Sequence, residues 1–169
     1  MANFDRYAPK LSIWEGGFVN NPADKGGPTN KGVTLATFRR FFGNWNTVDD
    51  LRRMTEAQWR KVMITYWDRC CADDIHNQSI AEMLVDWHIN AGTAGIKAWQ
   101  RSVGLAADGI IGPRSLAVLN APDAAGTFAC MKGARDKYYR QIVLHNPSQA
   151  VFINGWLNRV NSFSFEEVQ

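Results

Sequence analysis

Apolar residues recur at intervals of three and four along most of the chain, and where that rhythm breaks, glycine, proline and asparagine take over. Phe4, Tyr7, Leu11 and Trp14 share one helical face and predict an amphipathic helix with its aromatic side buried, ending beside Glu15. From Gly16 to Gly32 the helical period is lost. Gly16, Gly17, Asn20, Pro22, Gly26 and Gly27 set the tone of this stretch, with only Phe18, Val19 and Val33 as apolar punctuation. Such a composition predicts a glycine-rich loop or a short twisted hairpin.

The helical rhythm returns at Thr34, read as a cap ahead of inward-facing Leu35, Phe38 and Phe42. Thr55 with Gln58 and Ser79 with Glu82 have the spacing of capping boxes, the first before WRKVMITYWD and the second before MLVDWHINA. Gly92 ends the latter helix, and Ile96, Trp99 and Val103 mark another that stops at Gly104. The DGIIGP turn, Asp108 to Pro113, puts Pro113 at the first position of a helix running to about Leu119. Asp123 opens a long helix through Phe128, Met131, Tyr138 and Ile142, and Pro147 opens a last one through Phe152, Trp156 and Val160. The fold class expected is mainly α.

Composition adds bounds to this picture. A chain of 169 residues, 46% hydrophobic, can bury a sizeable core in one compact domain, with room for two lobes around a cleft. Six of the seven tryptophans (Trp14, Trp59, Trp67, Trp87, Trp99 and Trp156) fall on apolar helical faces and are assigned mostly to the core. Trp45 differs: it sits in the turn-like GNWNTVDD and is the best exposed candidate. The formal charge is only +3, and the basic runs Arg39-Arg40, Arg52-Arg53, Arg60-Lys61 and KGARDKYYR (Lys132 to Arg140) read as solvated helix faces. With no recognisable motif or basic stripe, a nucleic-acid partner is not expected.

Cys70 and Cys71 are adjacent and Cys130 is alone, which argues against a disulfide scaffold. His76, His88 and His145 are scattered without metal-ligand spacing, so neither a metal nor a cofactor is expected. The opening MANFDRYAPKLSIWEGG lacks the apolar run of a signal peptide or membrane anchor. The expectation is therefore a protein cytoplasmic as synthesised, without membrane insertion.

The candidate chemistry centres on Glu15. A carboxyl partly desolvated by Trp14 and Phe18 would have its charged form disfavoured, which suits a general acid near neutral pH. Asp24, the next carboxylate, lies nine positions on. Two such groups are what glycoside hydrolysis needs, one to protonate the leaving oxygen and one to activate water or act as nucleophile. A Glu at a helix end and an Asp in a turn are also common as a solvated side chain and an Asx-turn cap.

The run EGGFVNNPADKGGPTNKGVT, Glu15 to Thr34, resembles the signature of the family 108 glycoside hydrolases, lysozyme-like N-acetylmuramidases of bacteria and phages. The resemblance continues through VDWHINAG (Val85 to Gly92) and WQRSVGLAADGIIGPRSLAVLN (Trp99 to Asn120), the latter similar to the family's peptidoglycan-binding segment. It implies a lysozyme-like helical fold, with residues 1–85 as the hydrolase part and 86–169 as an integrated peptidoglycan-binding part. The implied reaction cuts the β-1,4 bond between N-acetylmuramic acid and N-acetylglucosamine. Glu15 matches the catalytic glutamate, and Asp24 keeps the interval of the second carboxylate in phage-type lysozymes.

Where that pattern has a threonine, fifteen positions after the glutamate, this chain has Asn30, with Thr29 beside it. The resemblance thus stops short of the threonine-assisted mechanism, although an asparagine amide can hold a water or a sugar hydroxyl. Asn90 matches a cleft-facing polar position and equally suits a helix end near Gly92. Trp45 is the candidate for stacking on a pyranose face. The DGIIGP turn could bind wall polymer, but its main role is expected to be structural.

Three functions follow. The leading one is a muramidase with Glu15 as acid and Asp24 as base or water-positioner. The second is a catalytically weak peptidoglycan-binding protein, and the third, least supported, a helical nucleic-acid binder. A wall enzyme made without a leader would need release by a holin or by secretion machinery to reach peptidoglycan.

Overall fold

The computed structural model describes residues 1–20 and 27–167, and these form two compact units. One is continuous, Phe4–Thr65; the other combines Met1–Asn3 with the chain from Tyr66 onward. The division between them falls at 65/66. Among the described residues no helix is long and apolar enough to cross a membrane.

The Phe4–Thr65 unit opens with α1 (Phe4–Trp14), which buries Phe4, Tyr7, Ala8 and Leu11 as its periodicity requires. Trp14 departs from that pattern and is 42% exposed, because the chain leaves the helix immediately after it. A three-stranded antiparallel sheet follows, β1 (Phe18–Val19), β2 (Thr29–Asn30) and β3 (Val33–Thr34), in the order β1-β2-β3. Phe18 pairs with Asn30 and Val19 with Thr29; Thr29 pairs with Thr34 and Asn30 with Val33.

Helix α2 (Leu35–Phe42) is capped by Thr34, whose hydroxyl accepts from Thr37 N. Next comes α3 (Val48–Arg52), which the turn-like reading of GNWNTVDD missed. Its five residues are too few to show a period, but Thr47 and Asp50 make a reciprocal capping box. Helix α4 (Glu56–Arg69) starts with the expected box, Thr55 N donating to Gln58 Oε1 at 2.9 Å and Gln58 N to Thr55 Oγ1 at 3.2 Å. Leu11, Val33, Phe38, Leu51 and Trp59, all at most 1% exposed, form this unit's core.

The other unit is helical and is built around α5 (Gln78–Ala91), buried along nearly all of its length. A helix enclosed on all sides cannot afford unsatisfied first-turn donors. The cap is Asn77, whose side-chain Oδ1 accepts from Ser79 N at 2.9 Å and Ile80 N at 3.2 Å. The box expected at Ser79 and Glu82 does not form: Ser79 lies inside the helix, and its hydroxyl accepts from Glu166 N at 2.9 Å. Asn77 Nδ2 donates to Glu166 O at 3.0 Å, while Asn3 N donates to Gln78 Oε1 at 2.8 Å and accepts at its own carbonyl from Gln78 Nε2 at 3.0 Å. The first turn of α5 is thus held by residues from two distant stretches of chain.

Helices α6 (Thr93–Ser102), α7 (Pro113–Leu119), α8 (Ala124–His145) and α9 (Ile153–Asn161) complete this unit, α8 packing on α5, α6 and α9. Pro113 takes the first position of α7, and Asp123 caps α8 by accepting from Gly126 N. Pro147 opens a 3-10 turn, Pro147–Phe152, and the α-helix begins only after it. Beneath α8 lies an ion cluster that takes Arg135 out of the solvated face expected for KGARDKYYR, while Lys137 and Arg140 stay exposed. Arg135 is fully buried, its Nη2 donating to Asp86 Oδ2 at 2.6 Å, and Arg159 Nη2 donates to Asp86 Oδ1 at 2.7 Å. Burial pushes the Asp86 carboxyl up, but the two guanidiniums outweigh it and hold the group below its ordinary range.

Candidate functional site

Glu15 stands where α1 runs out. Its backbone N–H donates to Leu11 O at 3.1 Å, and Gly16 then turns the chain through φ +64°, the left-handed conformation in which helices commonly end. The chain enters β1 two residues later, so the helix end delivers the half-buried Glu15 to the small sheet.

The hairpin that receives it is a two-residue connection. Lys31 and Gly32 join β2 to β3 with φ +45° and +74°, the paired left-handed conformations whose twist suits antiparallel strands. The Glu15 carboxyl lies against Gly32. A Cβ on Gly32 would overlap Glu15 Oε2 and stand 2.9 Å from its Cδ. Gly32 therefore serves twice, as the turn residue and as the gap into which the carboxyl fits.

The turn is held from below. Trp59, fully buried on α4, donates its indole N–H to Lys31 O at 3.0 Å, and Lys31 Nζ stands 3.7 Å from a Glu56 carboxylate oxygen. Asn30 is 6% exposed, and its Nδ2 donates to Leu51 O at 2.8 Å and Arg52 O at 3.2 Å. The amide expected to meet sugar thus ties β2 to the end of α3. The Arg52 guanidinium lies 4.5 Å from the centroid of the Phe18 ring on β1, so the same helix end braces the opposite strand.

The remaining candidates have distinct places. Thr29 is half-buried on β2, its hydroxyl donating to Gly27 O at 3.3 Å. Trp45 is 82% exposed, yet its ring rests on Gly43, where a Cβ would collide with it. An open aromatic face supported from behind is a ready stacking surface. Asn90 belongs to the other unit; it is exposed near the end of α5, with Nδ2 donating to Asp86 O at 2.7 Å. Asp24 lies outside the described residues. Among the described residues no three His, Cys, Asp or Glu side chains converge as a metal would require.

Gly32 and Trp59 were not singled out as site residues from the sequence. The signal for Gly32 was present as the turn pair Lys31-Gly32 between Asn30 and Val33, whereas Trp59 was legible only as core. The arrangement is a carboxyl at a helix end over a braced hairpin, flanked in the chain by the exposed apolar residues Ile13, Trp14 and Val19.

Comparison with known proteins matches these parts to families. The family described as Glycosyl hydrolase 108 matches residues 8–92, and that described as Predicted Peptidoglycan domain matches residues 94–161. No curated protein matches the chain significantly. Among solved structures, the "Structure of Brucella abortus SagA" is similar with a TM-score of 0.74 at 25% identity, covering 97% of each chain. With the first match spanning half of the chain and taking in both the Glu15 helix end and the hairpin beneath it, the chain belongs to the glycosyl hydrolase 108 family and carries a peptidoglycan domain after it.

Proposed function

We propose that this protein is a peptidoglycan hydrolase that cleaves the β-1,4 bond between N-acetylmuramic acid and N-acetylglucosamine. The observation that carries the reading is the seat of Glu15, whose carboxyl lies in the gap at Gly32 at the end of α1. In this reading Glu15 protonates the leaving glycosidic oxygen. Asp24 serves as base or water-positioner on the strength of its interval alone. Trp45 offers a stacking face to a sugar ring, Thr29 lies on the strand beside the carboxyl's turn, and Asn30 keeps that strand in place.

The test is hydrolysis of purified peptidoglycan by the wild type and by Glu15→Gln, with the released ends reduced and identified by mass spectrometry. Gln is nearly isosteric, so the variant should keep its fold and wall binding while losing about 10²–10⁴-fold in rate. The new reducing ends should be muramic acid. Reducing ends of glucosamine would refute the bond assignment, and wild-type clearing by Glu15→Gln would refute the residue. Sedimentation with walls but no clearing by the wild type would favour a peptidoglycan-binding protein without turnover.

A further inference from the structure

The DGIIGP turn walls a cavity that is independent of Glu15. Gln100 on α6 is 2% exposed and saturated by the turn: Oε1 accepts from Gly109 N at 2.8 Å, and Nε2 donates to Asp108 Oδ1 at 2.8 Å and Ile110 O at 3.0 Å. Asp108 Oδ1 also accepts from Ile110 N at 2.9 Å. Gly109 is left-handed at φ +82°, and a Cβ there would collide with Thr93 Cγ2, so the turn is pressed onto α6. A turn braced in this way does not need to order itself around a ligand.

This turn, the segment after α6 and the start of α7 enclose about 510 Å³, a volume suited to a small ligand. Leu105, Ala106, Ile110 and Pro113 supply apolar wall, and among the described residues no aromatic ring lines the cavity. Two charges of opposite sign belong to its lining, Asp108 and Arg114. Arg114 is exposed and its guanidinium has no hydrogen bond or ion pair among the described residues. The hydrogen bonds from Ile110 N–H and the Gln100 amide hold the Asp108 carboxyl below its ordinary range, so it is an anion at neutral pH.

Sugar rings are gripped by aromatic faces, which this cavity lacks. Aliphatic walls with one cation and one anion suit a short peptide of small side chains ending in a carboxylate and carrying an amine. Peptidoglycan contains such a segment, the stem peptide on its glycan strand. We propose that the cavity receives the stem peptide, its terminal carboxylate on Arg114 and the amino group of its diamino residue toward Asp108. The proposal rests on the reading that peptidoglycan is this protein's polymer, supported by the peptidoglycan domain match that contains the whole cavity.

Calorimetric titration of the full chain tests it, with three soluble probes: a stem tetrapeptide, the same peptide amidated at its C-terminus, and an N-acetylglucosamine tetramer. The free-acid peptide should bind wild type and compete with wall sedimentation. Amidation and Arg114→Gln should each weaken binding about tenfold, the loss of one charge-assisted contact. The sugar tetramer should not compete for this site. Sedimentation with intact walls and with glycan strands stripped of peptide separates the two readings. Equal binding to both polymers, with no binding of the peptide, overturns the stem-peptide proposal and leaves peptidoglycan hydrolysis standing. A wild type that neither binds nor cuts either polymer removes both. Peptide binding that amidation and Arg114→Gln leave unchanged also overturns the proposal.

Discussion

Gly32→Ala is the sharpest probe of the site, because the structure separates its two effects. The first is backbone strain: a residue with a Cβ at φ +74° sits in the left-handed region at a cost of about 1–2 kcal/mol. In a chain of this size that is a loss of roughly 2–8 °C in melting temperature. The second is displacement of Glu15, since the new methyl would overlap Oε2 and lie 2.9 Å from Cδ and 3.3 Å from Cγ. The carboxyl ends a flexible side chain and can swing clear, so the protein should still fold. A shift of about 1 Å in a catalytic group can cost about 10²-fold in rate.

Gly27→Ala supplies the control, because Gly27 has φ +70° but no described residue within 4 Å of where a Cβ would stand. Both variants should lose comparable stability in a thermal melt, while only Gly32→Ala should lose kcat on solubilised peptidoglycan, by about 10²-fold or more. A Gly32→Ala protein that melts early yet turns over at the wild-type rate would refute the seat of Glu15 as the basis of activity. Equal losses of kcat in both variants would refute it too, by assigning the effect to the backbone.

Other outcomes follow from the same geometry. Asn30→Ala removes a donor from the Leu51 and Arg52 carbonyls, the former keeping Met54 N at 3.1 Å, and should cost about 0.5–1.5 kcal/mol in a denaturant melt, with KM unchanged; a raised KM at native stability would return Asn30 to the substrate. Asp86→Asn leaves Arg135 and Arg159 without their anion and should cost about 3–5 kcal/mol at neutral pH. The folded Asp86 carboxyl titrates below its unfolded 3.8, so its contribution is complete above that pH and is lost as pH falls through the folded value. The gap between wild type and Asp86→Asn should therefore close in acid melts below 3.8, and a gap independent of pH would contradict the ion cluster. Gly109→Val adds side-chain atoms where Thr93 already stands and should lower the melting temperature. If it instead kept native stability and lost wall binding, the turn would act in recognition rather than support.

What the sequence shows well here is what neighbouring residues decide together. Thr55 with Gln58, Thr34 ahead of Leu35, Pro113 at a helix start and Glu15 at a helix end before Gly16 all depend on partners a few positions away, and each is found in its expected place. Readings failed where the deciding partner was remote. Ser79 and Glu82 had the spacing of a box, but the Ser79 hydroxyl is claimed by Glu166, 87 residues on, and Asn77 caps the helix. Arg135 looked solvated among its charged neighbours, while its counter-ion Asp86 lies 49 residues earlier in the chain. Around Glu15, local pattern showed where the first helix ends and the helical period breaks. The contact of Glu15 with Gly32 and the indole of Trp59 under Lys31 join residues 17 and 28 positions apart, beyond any local period.

The bonds that complete the first turn of α5 also set an order of assembly. They close separations of 75 residues from Asn3 to Gln78, 87 from Ser79 to Glu166 and 89 from Asn77 to Glu166. Closing such long spans costs chain entropy before any contact is gained, which places these bonds late in folding. The Phe4–Thr65 unit closes shorter spans, such as the 55 residues between Asp5 and Arg60, and its hairpin joins adjacent residues. During synthesis every residue that seats Glu15 is made before Glu166 exists to latch α5. The unit that holds Glu15 is therefore complete in the growing chain before the helical unit, whose sequence flanks it on both sides, can be closed.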